Sequence, residues 1–227
     1  MESLACLNGE TMPVDQARVP VWDRGFLFGD SVYELYRVYE GRCWLEEAHT
    51  ARLRRSLTAM EFPPYDIEQL GRRIRETLAA SGLRDATVYV QITRGVAPRR
   101  HAFPHPAVPP TELIIVQPYD DGPTAALRAS GVAIISHADE RWKRCDVKST
   151  NLLANCMANE AAHHLFGAAG HSLVGRSVHD FLSVPTLFPP GVAAQGSRRM
   201  VECTARRADG ETFFAQAWIS AYSSQAG

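Results

Sequence analysis

The chain has 227 residues, 45% apolar and 22% charged, with 24 basic against 25 acidic side chains and a formal net charge of −1. That length suffices for one large domain or two small ones with real cores, and the near-neutral balance excludes a global field that would steer the chain to nucleic acid or an anionic membrane. No apolar run approaches the roughly 20 residues of a membrane span, and five scattered cysteines (Cys6, Cys43, Cys145, Cys156 and Cys203), without a CxxC pair, give neither a disulfide framework nor a metal site.

In chain order, Met1 to Cys6 has no basic segment and no long apolar run, so no signal peptide is expected and the compartment is cytoplasmic. Residues 3–45 read as strand-rich, with a turn at Asn8-Gly9. Ser31–Tyr39 alternates, placing Val32, Glu34, Tyr36 and Val38 on one face and Tyr33, Leu35, Arg37 and Tyr39 on the other. Glu40-Gly41 turns it into Arg42–Leu45 as a hairpin. Residues 46–60 read as a helix through Leu53, Leu57 and Met60. Asp66 caps a second helix, with Leu70, Ile74 and Leu78 on one face, ending at Ser81 before Gly82. Strands follow at Ala86–Thr93 and Glu112–Gln117, separated by a loop from Arg94 to Pro110 that holds five prolines. Residues 1–118 form the first domain in this reading, 119–124 a linker, and 125–227 a second domain. The second domain has a strand at 131–136, a helix over 151–166 and one weakly marked strand at 211–219.

Four segments carry candidate chemistry. The first stands out by composition: of the 24 basic residues only Lys143 and Lys148 are lysines. Arginine serves for salt bridges and solvation, but a guanidinium stays protonated and forms no imine. Lys148 lies between a predicted strand and a predicted helix, where a lysine points into a cleft or merely sits on a surface loop. The second, Asp23-Arg-Gly-Phe-Leu-Phe-Gly-Asp-Ser-Val-Tyr-Glu34, reads alone as a polar turn before a strand. In the third, His49 and Arg52 are three apart and share a helix face. The fourth, Gln91 to Pro104, is a proline-rich loop whose Arg99 and His101 suit an anion or a basic surface.

Together these segments resemble the fold-type IV, pyridoxal-phosphate-dependent aminotransferases, in their D-amino-acid branch. Arg144-Cys-Asp-Val-Lys148-Ser-Thr-Asn-Leu-Leu153 resembles that family's cofactor-lysine segment, Arg-Cys-Asp-(Ile/Val)-Lys-Ser-x-Asn-Leu-Leu. The resemblance implies that Lys148 carries the cofactor and shuttles the proton at the substrate α-carbon, and it leaves Lys143 outside the motif. Asp23–Glu34 is similar to Asp-Arg-Gly-x-x-Phe-Gly-Asp-(Gly/Ala)-Val-Tyr-Glu, with Ser31 where a smaller residue is usual, and implies that Tyr33 helps bind the substrate carboxylate. Glu47-Ala-His49-Thr-Ala-Arg52-Leu53 is similar to the family's His-x-x-Arg-Leu pattern, with Ala48 intervening after the acid, and implies that Arg52 holds the cofactor phosphate. The loop resembles Thr-Arg-Gly-x-x-Pro-Arg-x-His-x-Phe-Pro, in which Arg99 and His101 form a carboxylate trap with Tyr33.

The resemblance implies an α+β, two-domain fold and a homodimer in which the substrate loop crosses the interface. Small amino and 2-oxo acids are the substrates, with no nucleic acid, membrane or metal involved. It covers residues 3–170. Beyond His171 neither the family's Thr-Glu-Gly, whose glutamate pairs with the pyridine nitrogen, nor its Gly-Ile-Thr phosphate turn is present. Asp180 falls at about the glutamate's distance from Lys148, in surroundings that do not match. The second domain is therefore expected to be incomplete or atypical after residue 170, as a frameshift or a fused segment would make it. Three alternatives stand beside D-amino-acid transamination: a branched-chain aminotransferase, an aminodeoxychorismate lyase, and an inactive remnant. The clustered arginines Arg52, Arg54, Arg55, Arg72, Arg73 and Arg75 are interleaved with acids and carry no nucleic-acid motif.

Overall fold

The computed structural model describes residues 3–125, 141–165, 182–183, 198–206 and 211–220. Its contacts divide the chain into two units, residues 1–120 with 141–152, and residues 121–140 with 153–227.

The first unit is an antiparallel sheet with helices over one face. Its strands are β1 (Leu4–Leu7), β2 (Glu10–Pro13), β3 (Ser31–Tyr39), β4 (Arg42–Cys43), β5 (Ala86–Thr93) and β6 (Thr111–Pro118), in the order β2-β1-β6-β5-β3-β4. Its helices are α1 (Arg24–Phe28), α2 (Glu46–Ala59) and α3 (Ile67–Ser81). The alternation read in β3 decides which face is covered. Val32, Tyr36 and Val38 turn toward the helices and join Val88, Val90, Ile92, Ile114 and Val116 from the neighbouring strands. From above, α2 adds Leu53 and Leu57, and α3 adds Leu70, Ile74 and Leu78. Burying each such side chain stabilises the fold by about 1.5–3 kcal/mol. The opposite face presents Tyr33, Leu35, Tyr89 and Gln91, none of them buried.

Two local differences from the sequence reading have physical causes. The Arg24–Phe28 stretch is one helical turn rather than a plain turn, because the Asp23 carboxylate accepts from the Gly25 N–H and caps it. The hairpin strand ends at Cys43 instead of running to Leu45, because Leu45 takes a left-handed conformation (φ 53°) at the entrance to α2. The predicted Asp66 cap is present, with its carboxylate 2.8 Å from the Gln69 N–H.

Gly95 opens the long loop with φ 97°, and a methyl group there would overlap the Pro109 carbonyl oxygen. Gly95→Ala is expected to destabilise the protein by about 2 kcal/mol or more, since strain and overpacking add. A chemical denaturation midpoint unchanged from wild type would show that the loop can open at no cost.

In the second unit, α4 (Leu153–Leu165) occupies the expected helix, and β7 (Leu182–Ser183), β8 (Arg198–Arg206) and β9 (Thr212–Ser220) form an antiparallel sheet in the order β7-β8-β9. The strand expected at 131–136 lies outside the described residues. β8 is not foreseen in the sequence, where arginines at both ends obscure its short apolar run. The α+β class holds, and no helix among the described residues is long and apolar enough to cross a membrane.

Candidate active site

The segment carrying Lys148 lies along the free edge of β3. Tyr33 N–H donates to the Lys148 carbonyl at 3.0 Å, and Thr150 N–H donates to the Ser31 carbonyl at 3.3 Å. These two bonds bracket an isolated antiparallel bridge between Val32 and Ser149. From the other side, the Ser56 hydroxyl on α2 accepts from Lys148 N–H at 3.2 Å. So held, the half-buried lysine places Nζ 3.7 Å from the centre of the Tyr33 ring, a cation–π distance.

Arg52 lies one helical turn before Ser56 on α2. Its Nε and Nη2 donate to the two carboxylate oxygens of Glu34 at 2.5 and 2.7 Å, and His49 Nδ1 lies 2.9 Å from the same carboxylate. Glu34 is wholly buried, while the Arg52 side chain is 43% exposed and its Nη1 takes no part in the pair. An acid on the apolar face of an alternating strand needs a partner. That signal was available in the sequence, and it points to the His49–Arg52 face of α2. Burial raises the Glu34 carboxyl, but the hydrogen bonds and charges of Arg52 and His49 outweigh it and hold the group below its ordinary 4.5. A carboxyl depressed by folding contributes stability that is fully present above its unfolded value and lost as pH falls through its folded value. The melting temperature is therefore expected to fall as pH drops below 4.5. Glu34→Gln, though less stable at neutral pH, should flatten that limb. An equally steep acid limb in the variant would assign the effect to other carboxylates.

A second buried cluster anchors the Arg94–Pro110 loop. Asp30 accepts from Arg24 Nε at 2.7 Å and from Arg94 Nε at 2.9 Å, and all three side chains are 7% exposed or less. Arg24 Nη1 then donates to the carbonyls of Arg100 and Ala102, and Arg94 donates to those of Glu61 and Met60. The Arg94 guanidinium lies 3.6 Å from the centre of the Phe103 ring. Asp23 accepts from the hydroxyls of Thr93 and Thr111. The Asp-Arg-Gly…Phe-Gly-Asp signature thus has a structural task that sequence reasoning did not find, because its partners are 60 or more residues away.

The loop presents Arg99 and His101 together at its exposed tip, both against Phe28: the Arg99 guanidinium at 5.3 Å from the ring centre and the His101 ring at 5.8 Å. Among the described residues no hydrogen bond, ion pair or ring contact joins either of them to Tyr33 or Lys148. The structure therefore brings Lys148, Tyr33 and, through Glu34, Arg52 to one edge of β3, and groups Arg99 with His101 on Phe28. Asp180 lies outside the described residues. No cluster of three or more His, Cys, Asp or Glu side chains suited to a metal is present among the described residues.

A half-buried amine seated on an aromatic ring, with a partly exposed guanidinium near its backbone anchor, suits a small anionic carbonyl compound. The chain belongs to the class IV aminotransferases: residues 31–166 match the family described as Amino-transferase class IV. The D-alanine aminotransferase of Staphylococcus haemolyticus is 39% identical over 161 residues, covering 69% of this chain and 55% of the relative. The chain thus spans about half the length of the curated relatives it matches. Among solved structures, the 4-amino-4-deoxychorismate lyase of Pseudomonas aeruginosa is similar at 26% identity and a TM-score of 0.59, over 69% of this chain and 56% of that one. The branched-chain aminotransferase of Escherichia coli shares the fold at 21% identity and a TM-score of 0.64, over 72% of this chain and 57% of that one. Enzymes of this class use pyridoxal phosphate.

Proposed function

We propose that the protein transfers the amino group of a D-amino acid, such as D-alanine, to a 2-oxo acid, such as 2-oxoglutarate, on pyridoxal phosphate held by Lys148 and Arg52. The observation that carries this reading is the Lys148 amine held over Tyr33 in the first unit, its backbone anchored by Ser56 one helical turn after Arg52. The 39% identity to a D-alanine aminotransferase supports the D-branch over the lyase and branched-chain alternatives.

The residues fit the cofactor. Lys148 Nζ has no hydrogen-bond partner among the described residues and is oriented by packing on Tyr33. Arg52 keeps Nη1 for a phosphate oxygen, while Glu34 fixes its plane. When bound, pyridoxal phosphate supplies an aldehyde for an amine and an electron sink for the substrate α-carbon. The protein does the rest. Arg52 binds the phosphate, and Lys148 Nζ moves the proton at the substrate Cα. The Tyr33 hydroxyl binds one side of the substrate carboxylate. In the proposed homodimer, a cytoplasmic one, Arg99 and His101 reach that carboxylate from the loop of a second copy, in keeping with the lack of any bond or ring contact between them and Tyr33 among the described residues of one chain. The kinetics are ping-pong.

Borohydride reduction of the purified chain with pyridoxal phosphate, followed by peptide mass mapping, tests the reading. A pyridoxyl adduct on Lys148 is expected, and a panel of D-alanine, L-leucine and aminodeoxychorismate then separates the three reactions. Folded protein without an adduct on Lys148 would overturn it. That result would favour the second reading, a folded remnant without activity.

A further inference from the structure

A line of polar side chains runs across the Lys148 face of the sheet without any role in the chemistry above. Tyr89 and Gln91 stand on β5, and in the β3–β5 register Gln91 lies directly opposite Tyr33 and Tyr89 opposite Leu35. The Tyr89 hydroxyl donates to Gln91 Oε1 at 2.8 Å, and Gln91 Nε2 donates to the Ser31 hydroxyl at 3.3 Å. Ser31 Oγ lies 2.6 Å from Thr150 Oγ1, which in turn lies 3.4 Å from the Gly29 carbonyl oxygen. These contacts fix one direction for the protons. The Gly29 carbonyl can only accept, so Thr150 gives its single proton there and is left to accept from Ser31, whose own oxygen accepts from Gln91. Burial and the neighbouring Tyr33 push the Tyr89 phenol up to about 12, so it remains a donor at working pH.

The chain of bonds closes on the reactive lysine from two directions. Thr150 is two residues past Lys148, so Ser31 is tied to the Lys148 segment by side chain as well as by backbone. At the other end, the Tyr89 ring lies 5.7 Å from the Tyr33 ring that seats Nζ. The main-chain attachment to β3 is a single bridge with two hydrogen bonds at a sheet edge, the kind of contact that frays. Ser31 is fully buried, so its hydroxyl has no water to exchange for Thr150.

We propose that Ser31, Thr150 and Gln91 are positioning residues for Lys148, a hydroxyl latch that locks the lysine segment against β3 and keeps the amine over the Tyr33 ring. The importance of that position for catalysis rests on the reading of Lys148 as the cofactor lysine, but the latch itself is testable without cofactor.

The composition supplies the assay. Lys143 is exposed and is the only other lysine, so it serves as an internal reference for amine acylation. The cofactor-free full chain is treated briefly with an N-hydroxysuccinimide acetate, and the acetylation ratio of Lys148 to Lys143 is read by peptide mass spectrometry. Ser31→Ala and Thr150→Val each remove one hydroxyl with little change of volume. Each is expected to raise the ratio about five-fold, the factor associated with one neutral hydrogen bond. The double variant is expected to match a single one, because both cut the same link. In holoenzyme the same variants lower kcat by a similar factor and leave KM for the amino donor unchanged. A ratio within two-fold of wild type in both single variants, whatever the melting temperature, would overturn the proposal, as would a double variant equal to the product of the singles. Raised ratios in a chain that traps no pyridoxal phosphate on Lys148 would uphold the latch and remove the cofactor reading, so the two failures are distinct.

Discussion

Lys148→Arg is expected to abolish transamination while leaving the fold intact. The substitution keeps a cation that can still lie on the Tyr33 ring, and no hydrogen bond of the described residues is lost with Nζ. What disappears is chemistry. A guanidinium forms no imine and neither takes nor returns a proton near neutral pH. In the roles proposed for Lys148, losing the proton shuttle alone removes about 10²–10⁴ of the rate, and losing the covalent attachment removes more. The measurement is the half-reaction with D-alanine, followed by the absorbance of added cofactor, with circular dichroism and a melting curve as controls. Residual turnover within ten-fold of wild type would place the reactive amine elsewhere, and Lys143 would be the one remaining side chain able to supply it.

Asp30→Ala carries the largest expected stability effect. It leaves Arg24 and Arg94 side by side, 4% and 3% exposed, without the carboxylate that lies between them. Breaking a buried ion pair from one side costs about 3–5 kcal/mol. Here the carbonyls of Arg100, Glu61 and Met60 and the Phe103 ring continue to hold the arginines, so the lower end, about 3 kcal/mol, is expected. Urea denaturation reads this directly. A loss below about 1 kcal/mol, the scale of one ordinary hydrogen bond, would mean that the carbonyls alone satisfy both guanidinium groups.

The sequence carried the regular elements well. β5 begins and ends at Ala86 and Thr93 as its apolar alternation indicates, and α3 runs from its Asp66 cap to Ser81. Local signals suffice there, because each residue's environment is set by neighbours a few positions away. α1 was illegible for the opposite reason. Five residues between Asp23 and Gly29 are too few for a period, and what makes them helical is a cap bond together with tertiary anchoring of Arg24. The buried arginines were hidden by their type: arginine usually lies at the surface, and only contacts with residue 30 and the 100–102 stretch reveal otherwise. In the site, family motifs named Lys148, Tyr33, Arg52, Arg99 and His101. They did not reveal that Glu34 and His49 grip Arg52, or that Ser31 reaches Thr150 across 119 positions of chain.

The manner in which Arg24 holds the loop has an evolutionary consequence. It grasps the main-chain oxygens of residues 100 and 102, which every amino acid possesses, while the exposed side chains at 99, 100 and 101 make none of the anchor's hydrogen bonds. The root of the loop is thereby decoupled from its tip. Selection can exchange the tip's side chains, and with them the charge or bulk that an incoming molecule meets, without first finding a compensating change in the core. If the loop tip meets substrate as proposed, a drift in substrate preference has an open path at three adjacent codons and a closed one at Asp30, Arg24 and Arg94.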